Sequence, residues 1–397
     1  MKKSLYFYIE PYVYIRGCES GIILINLLDD KAFTFKDIQS IKIGLSLLSS
    51  PKRTVKIAEE DLQTPIIIVT NKNFMGDIVS ASSQPLQFYS EINEVSGIEA
   101  YRKSVIYSKY NIGRFISNCT IFVDMANQDC RDYIKCITGV ESIPDNSICR
   151  VLSKMDKNDI DLYINKLVDI NPNMTLNICG INCHLLDYIS EKYPAVTINP
   201  ILSLRTLKSS PELCDFIRQN KTKYTLLLDL PCDKSDIFIK DMIHSIYVKI
   251  TNEEDIYDAN NLSEIGCQIK SCPVLTSDNI DFIKSLLSIS NDDLLNIDNK
   301  YRTIKINNLI NSNFWGKIYV FPKGKVCYSL ASDYIIELNQ LYDTYKGDFL
   351  NGTFDWTITR NFSNCRFCMF QYLCPSPNHI ETYLRMKGLI KCLMTKD

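Results

Sequence analysis

Histidine and glycine are scarce in this chain. There are only three histidines in 397 residues, His184, His244 and His379. That leaves little material for nucleophilic catalysis assisted by an imidazole base, and His184 beside Cys183 is the one weak dyad. Glycine stands at 14 residues, about half its usual share of ~7%. Neither Gly-x-Gly-x-x-Gly nor Gly-x-x-x-x-Gly-Lys-[Ser/Thr] occurs, so the dinucleotide and P-loop fingerprints are missing. Cys-x-x-x-Cys-x-x-Cys is absent as well. No run reaches the roughly 18 apolar residues of a membrane span. Charge of one sign is also lacking. The 44 Lys+Arg nearly balance the 46 Asp+Glu, leaving −2, so no global basic field would hold a nucleic acid. The start Met1-Lys2-Lys3-Ser4-Leu5-Tyr6 has the basic opening of a signal peptide. Glu10 and Pro11 interrupt it and no small-residue cleavage site follows. The expectation is a cytosolic protein with neither a membrane nor a nucleic acid as partner.

What the chain does contain is cysteine, 16 of them. In a reducing cytosol these are buried apolar residues, metal ligands or redox groups rather than a disulfide framework. Hydrophobic residues at 46% and charged residues at 23% mark a globular protein, and the length suits two or three domains.

Three regions differ in pattern. In residues 1–88, Tyr12–Arg16 reads as a strand and Gly21–Phe35 as a hairpin around Asp29-Asp30-Lys31. Asp37 is placed to cap a helix that Pro51 ends, Thr54–Ile57 forms a short strand, and Ile66–Val79 reads as a further helix. A hairpin followed by helices suits a small winged-helix-like unit. Residues 89–305 alternate strand and helix. The strands are Thr120–Asp124, Met174–Ile178, Ala195–Ile198, Tyr224–Leu230, Ile246–Ile250 and Cys272–Leu275. Helices are expected at Ile160–Ile170, Leu185–Tyr193, Pro211–Gln219, Ile237–His244, Ile256–Ile265 and Ser277–Leu287, the last capped by Ser277 or Asp278. Such alternation implies parallel strands with right-handed crossovers. The fold class is therefore α/β, a partial (β/α)6 barrel short of the closed eightfold form, with a flat doubly wound sheet as the competing arrangement. Residues 306–397 open with a hairpin, Trp315–Phe321 and Gly324–Tyr328 about Pro322-Lys323-Gly324. An amphipathic helix at Tyr334–Tyr345 and a cysteine-bearing loop follow.

That loop carries the strongest local signal. Cys365 and Cys368 form a Cys-x-x-Cys, and Cys374-Pro375-Ser376-Pro377 follows. Two thiolates on one turn can grip a metal, and a third from the next turn closes one side. Tetrahedral zinc and cubane iron–sulfur sites both want a fourth donor. Cys392 is the first choice, with Cys327 and His379 as alternatives. Thiolate softness does not separate iron–sulfur from zinc. Elsewhere Cys130 and Cys136 follow the first barrel strand, and Cys179 and Cys183 the second, mostly as ordinary half-buried thiols. The carboxylate pairs Glu59-Glu60 and Glu253-Glu254 read as solvated faces.

Gly316-Lys317-Ile318-Tyr319-Val320 with Gly324-Lys325-Val326, then Trp356, Arg360, the Cys365–Cys374 run and Cys392, resembles a SPASM domain. This is the auxiliary-cluster extension of radical SAM enzymes that modify ribosomally made peptides. Cys374-Pro375-Ser376-Pro377-Asn378-His379-Ile380-Glu381 is especially similar to the maturases of GG-type peptide systems. The barrel pattern upstream and the winged-helix-like start look like the radical SAM core and leader-recognition domain of that group. Met75–Val79 with Gln84-Pro85-Leu86 resembles their junction.

The resemblance breaks at the chemistry. An active core needs Cys-x-x-x-Cys-x-x-Cys after its first strand, three thiolates that leave one iron of a [4Fe–4S] cluster for S-adenosylmethionine. Here that stretch supplies only Cys130 and Cys136, at the wrong spacing. The turn that meets the methionine amine reads Cys179-Gly180-Ile181-Asn182, and the fourth SPASM cysteine is Asn378. The chain thus looks like the pseudo-radical-SAM group of GG-Bacteroidales peptide systems. The resemblance implies a non-catalytic accessory that binds a precursor leader or an active radical SAM enzyme. It implies one tail [4Fe–4S] cluster on Cys365, Cys368, Cys374 and Cys392, zinc being the alternative, and no S-adenosylmethionine. The competing expectations are a true maturase with an unusual cluster on Cys130, Cys136 and Cys179 or Cys183, and a zinc-stapled binding protein.

Overall fold

A computed structural model describes residues 5–50, 53–80, 115–141 and 152–394, apart from positions 233, 234, 236, 238, 331, 333, 342, 343, 345, 346, 349, 350, 352–354 and 363. The Gln84–Leu86 junction and the boundary expected at 88/89 lie outside the described residues.

The first unit holds two three-stranded antiparallel sheets. Its strands are β1 (Leu5–Ile9), β2 (Val13–Cys18), β3 (Gly21–Asn26), β4 (Ala32–Phe35), β5 (Thr54–Ile57) and β6 (Gly76–Ser80), ordered β2-β3-β4 and β5-β1-β6. The expected hairpin is β3–β4, with Ile23 opposite Thr34 and Ile25 opposite Ala32. Asp37 caps the helix Ile38–Ser49 by accepting from the Ser40 N–H at 2.8 Å. One expectation fails. The helix expected over Ile66–Val79 runs only Pro65–Lys72, and its second half is β6, paired with β1. Strand β1 itself, whose opening resembles a signal peptide, is the centre of its sheet, with Phe7 and Ile9 fully buried.

The remainder is mixed α/β around one nine-stranded, mostly parallel sheet. Its strands are β7 (Asn118–Phe122), β8 (Thr175–Cys179), β9 (Thr197–Ser203), β10 (Tyr224–Leu228), β11 (Ile243–Ile250), β12 (Gln268–Pro273), β13 (Lys317–Phe321), β14 (Lys325–Cys327) and β15 (Ile336–Glu337). The order is β12-β11-β10-β9-β8-β7-β13-β14-β15. From β7 to β12 it runs one way, without the reversal that defines a doubly wound sheet. Strand β13 joins the far side of β7 in parallel, so the tail hairpin continues this sheet.

Alternation of side chains gives the sheet two faces. Cys119, Ile121, Leu176, Ile178, Leu226, Leu228, Ile246 and Val248 pack with Ile160, Ile164 and Leu167 of the helix Lys157–Ile170, with Leu186 and Ile189 of the helix Cys183–Lys192 and with Leu213 and Ile217 of the helix Pro211–Asn220. Phe122, Cys179, Ile201, Leu227, Tyr319 and Phe321 line the other face, where Cys130, Tyr133 and Ile134 of the helix Gln128–Thr138 cover them. Toward the strand starts this inner face is polar. Asn118, Asn177, Asn199, Thr225 and Ser245 form a chain of side-chain hydrogen bonds across five strands, with links of 2.7, 2.6, 2.9 and 3.2 Å.

Other boundaries shift for local reasons. The helix expected at Ile237–His244 is a short turn at Lys240–Met242, because Ile243–Ile250 alternates as strand β11. The helix expected from Ser277 starts at Ile280. Asn279 is drawn off instead, donating to the carbonyls of Thr251 and Val274, both at 2.9 Å. Within Tyr334–Tyr345 the described residues form β15 and the 3₁₀ turn Leu338–Gln340, and of the expected helix only Leu341 and Thr344, after that turn, are described as helical. The tail is not all loop: His379–Met386 is a helix, and Asn378 caps it by accepting from the Glu381 N–H at 2.8 Å. Asn378, where the resemblance expects a fourth cysteine, is thus a helix cap. No helix among the described residues is long and apolar enough to cross a membrane.

Candidate functional site

Two groups of cysteines need separate accounts. The first lies at the carboxyl ends of the parallel strands. Asn127 starts the helix Gln128–Thr138 by accepting from the Asp129 N–H at 2.8 Å, which turns Cys130 inward until it is fully buried. Gly180, with φ +77°, lets the turn after β8 pass close by; a Cβ there would sit 2.8 Å from the Cys130 sulfur. Cys130 and Cys179 are hydrogen-bonded to each other, and burial with that bond raises the Cys179 thiol well above its ordinary range. Cys136 points elsewhere. It hydrogen-bonds Cys272, which with burial raises its own thiol. Cys183 gives its thiol to the Glu212 carbonyl at 3.6 Å, while His184 is exposed. The four residues Cys130, Cys136, Cys179 and Cys183 therefore do not form one donor set: only Cys130 and Cys179 meet. A cavity of about 20 Å³ beside Cys136, lined also by Asp132, Lys135, Ser203, Asp229 and Lys249, has room for about one water.

The second group is in the tail. Consecutive tight turns carry the loop: Cys365 N–H to Phe362 O at 2.9 Å, Cys368 N–H to Cys365 O at 3.0 Å, and Cys374 N–H to Phe370 O at 2.9 Å. Two sulfurs accept from the backbone two residues on. Cys368 accepts from the Phe370 N–H, and Cys392 from the Met394 N–H at 3.4 Å. Arg385 donates to the Cys365 sulfur at 3.6 Å. Burial pushes the Cys374 thiol up to about 12, against the pull of Arg360, and neighbouring Cys368, Cys392 and Cys365 add to the rise. Burial likewise raises Cys368, with smaller contributions from Cys392, Cys365 and Cys18. The four expected tail cysteines thus share one electrostatic neighbourhood.

Among the described residues, no three His, Cys, Asp or Glu side chains already converge as a metal site. By donor type the tail still fits a thiolate-bound metal. It offers four sulfurs, two of them holding backbone N–H donors and two of them beside a guanidinium, and a bound cation would reverse the upward thiol shifts. The alternative donors go elsewhere. Cys327 is buried on the inner sheet face with Cys130 and Cys179. His379 packs its ring on Phe314 at 4.6 Å and faces the Ser329 hydroxyl at 3.4 Å. The carboxylates of Glu59, Glu60, Glu253 and Glu254 are exposed, as expected.

Two contributors escape sequence reasoning. Glu381, buried between Arg360 and Arg385, braces the loop; a Glu in an unexpected helix gives no sign of that. Arg16 reaches the loop from the first hairpin, donating to the Arg366 carbonyl at 2.8 Å, and a contact across 350 positions leaves no local signal. No known family model matches this chain, and no curated protein matches it.

Proposed function

We propose that this chain is a catalytically degenerate radical SAM/SPASM-like protein that binds a peptide or a partner enzyme during maturation of a ribosomally made peptide. The observation that carries this reading is the helix Gln128–Thr138 seated on the inner sheet face. A reactive cluster with S-adenosylmethionine would need that space and three convergent thiolates. Here Tyr133, Ile134 and Cys130 fill it, Cys179 is held protonated against Cys130, and Cys136 is turned to Cys272. The one-way strand order, with helices against the opposite face, favours a partial (β/α)6 barrel over a doubly wound sheet. The first unit serves as a winged-helix-like leader-recognition domain, in which the edge strand β4 takes up an extended peptide. The tail is a SPASM-like, cysteine-rich domain holding one metal centre on Cys365, Cys368, Cys374 and Cys392, a [4Fe–4S] cluster first and zinc as the alternative.

The test is anaerobic incubation of the iron- and sulfide-loaded protein with S-adenosylmethionine and dithionite. No 5′-deoxyadenosine is expected, and its formation overturns the pseudoenzyme reading. Acid-labile sulfide and zinc counts on the same preparation distinguish the two tail centres.

A further inference from the structure

The helix Pro65–Lys72 ends in a way that its sequence does not favour. The Met75 N–H donates to the Thr70 carbonyl at 2.9 Å and the Phe74 N–H to the Asn71 carbonyl at 3.2 Å, the paired bonds of a Schellman stop. The left-handed position of such a stop usually holds glycine, because a Cβ there is penalised. Here it holds Phe74, at φ +56° and 83% exposed. Glycine would suit both the backbone and the water better, so folding does not account for the phenyl ring. The turn is fixed from outside as well. The Glu10 N–H donates to the Met75 carbonyl at 2.8 Å, and the Tyr12 hydroxyl donates to the Phe74 carbonyl. The Tyr12 carbonyl in turn accepts from the Leu27 N–H at 3.1 Å, which brings up the next residue, Leu28, 74% exposed. Phe74 thus stands at the hydroxyl end of Tyr12 and Leu28 beside its backbone. The surroundings are acidic. Partial burial raises the Tyr12 and Tyr8 hydroxyls above their ordinary range, and carboxylates raise them further, Glu10 and Asp29 at Tyr12, Glu10 and Asp77 at Tyr8. Lys31 pairs with Asp29 at 2.9 Å, whereas Glu10 and Asp77 form no ion pair among the described residues.

We propose that Phe74 and Leu28 form a docking surface for a basic peptide segment, with an apolar side chain seated against the two and its lysine or arginine neighbours facing Glu10 and Asp77. This rests on the reading of the first unit as a peptide-binding domain, and it names the chemistry of the peptide. The position suits that occupant. Leu28 belongs to the turn that leads into the edge strand β4, so a chain added along β4 runs out at this end of the unit. A desolvated apolar anchor carries most of the affinity of such a contact, while charges at the rim set partner choice and salt dependence.

The experiment uses the full-length chain and three fluorescein-labelled synthetic peptides on a serine–threonine background. One carries a tryptophan flanked by lysines, the second has glutamates in place of the lysines, and the third has serine in place of the tryptophan. Affinity is read by fluorescence anisotropy. The lysine–tryptophan peptide is expected to bind tightest, and added salt to weaken it. Phe74→Gly and Leu28→Ser should each weaken it about tenfold or more, as the loss of an interface anchor does. Tyr257→Ser, at a residue 70% exposed on the helix Glu253–Asn261, should leave it unchanged. Phe74→Gly should also melt no lower than the wild type, because glycine takes the left-handed position without strain. A lower melting temperature makes the ring part of the fold, and unchanged affinity in both variants shows that the pair is no anchor; either result overturns this surface alone. A wild type that binds all three peptides equally overturns the surface and keeps the peptide-binding domain, whereas one that binds none overturns both. A wild-type dimer in sedimentation that Phe74→Gly dissolves assigns the face to a second copy of this chain and overturns the peptide as its occupant.

Discussion

Arg360 holds Glu381 with both prongs of its guanidinium, Nη1 to Oε1 at 2.7 Å and Nη2 to Oε2 at 2.8 Å, and only 3% and 1% of the two side chains is exposed. Arg385 joins from one helical turn along, Nε to Oε1 at 3.0 Å, and reaches on to the Cys365 sulfur. One carboxylate thus holds two guanidiniums behind the cysteine loop. Buried pairs of this kind add little net stability over an apolar core, but breaking one strands a buried charge. Glu381→Ala should therefore cost about 3–5 kcal/mol in urea unfolding, with Glu381→Gln, which keeps the shape, costing less.

The inner-face helix and the tail helix meet at Gly139. Its φ of +68° ends the helix Gln128–Thr138, and a Cβ there would stand 2.1 Å from Ile380 Cγ1. Gly139→Ala is expected to destabilise by about 1–3 kcal/mol or more, from strain and clash together. Gly266, at φ +78° with nothing within 4 Å, is the matched control. Gly266→Ala should lose only about 1 kcal/mol. Equal losses in thermal unfolding would mean that the two helices are not packed at Gly139.

His379 predicts an acid response. Burial, with a smaller push from Lys317, lowers its pKa to about 3 from an ordinary value near 6.5. Between those values the unfolded chain binds more protons than the folded one, so stability falls as the pH falls. The contribution is complete above about 6.5, reduced by about 2 kcal/mol at pH ~5, and lost further toward pH ~3. His379→Gln should flatten this part of a stability–pH curve measured by urea unfolding. A slope unchanged by the substitution would show that the imidazole is not shielded.

Iron content separates the two cysteine groups. Cys365→Ala and Cys368→Ala should each lower iron and sulfide in reconstituted protein. Cys130→Ala and Cys179→Ala should leave both counts unchanged and cost only about 1 kcal/mol of folding stability, the usual size of a small core truncation. Loss of iron with Cys130→Ala would place a cluster at the strand ends instead.

The parallel strands were legible because each is a short apolar run bounded by turns. Thr175–Cys179 and Tyr224–Leu228 fall within a residue or two of their expected limits. Strand β1 was hidden because the sequence Met1–Tyr6 resembles the start of a targeting segment, and the strand character of Leu5–Ile9 shows only in pairing with β5 and β6. The helix Gln128–Thr138 is not legible in the sequence because charged and polar residues are interspersed with its buried Cys130, Tyr133 and Ile134 and leave no continuous apolar run. At the site, the Cys365–Cys374 spacing was visible from the chain. Whether Cys130 meets Cys179 or Cys136 depends on register and helix phase, which no spacing rule carries. Cys327, on the tail hairpin, and His379, close to Cys374 in the sequence, are eligible by residue type, but the direction of each side chain, toward the inner sheet face and toward Phe314, is not written in their spacing.

Strand β13 has a consequence for synthesis. Because it lies against β7, the first strand of the large sheet keeps an open hydrogen-bonding edge until the ribosome has made Phe321. A nascent chain paused before that point exposes a template for pairing with its neighbours on the same message. Release from that hazard comes only when the hairpin arrives, so chaperone dependence during translation should concentrate in the interval between the two strands.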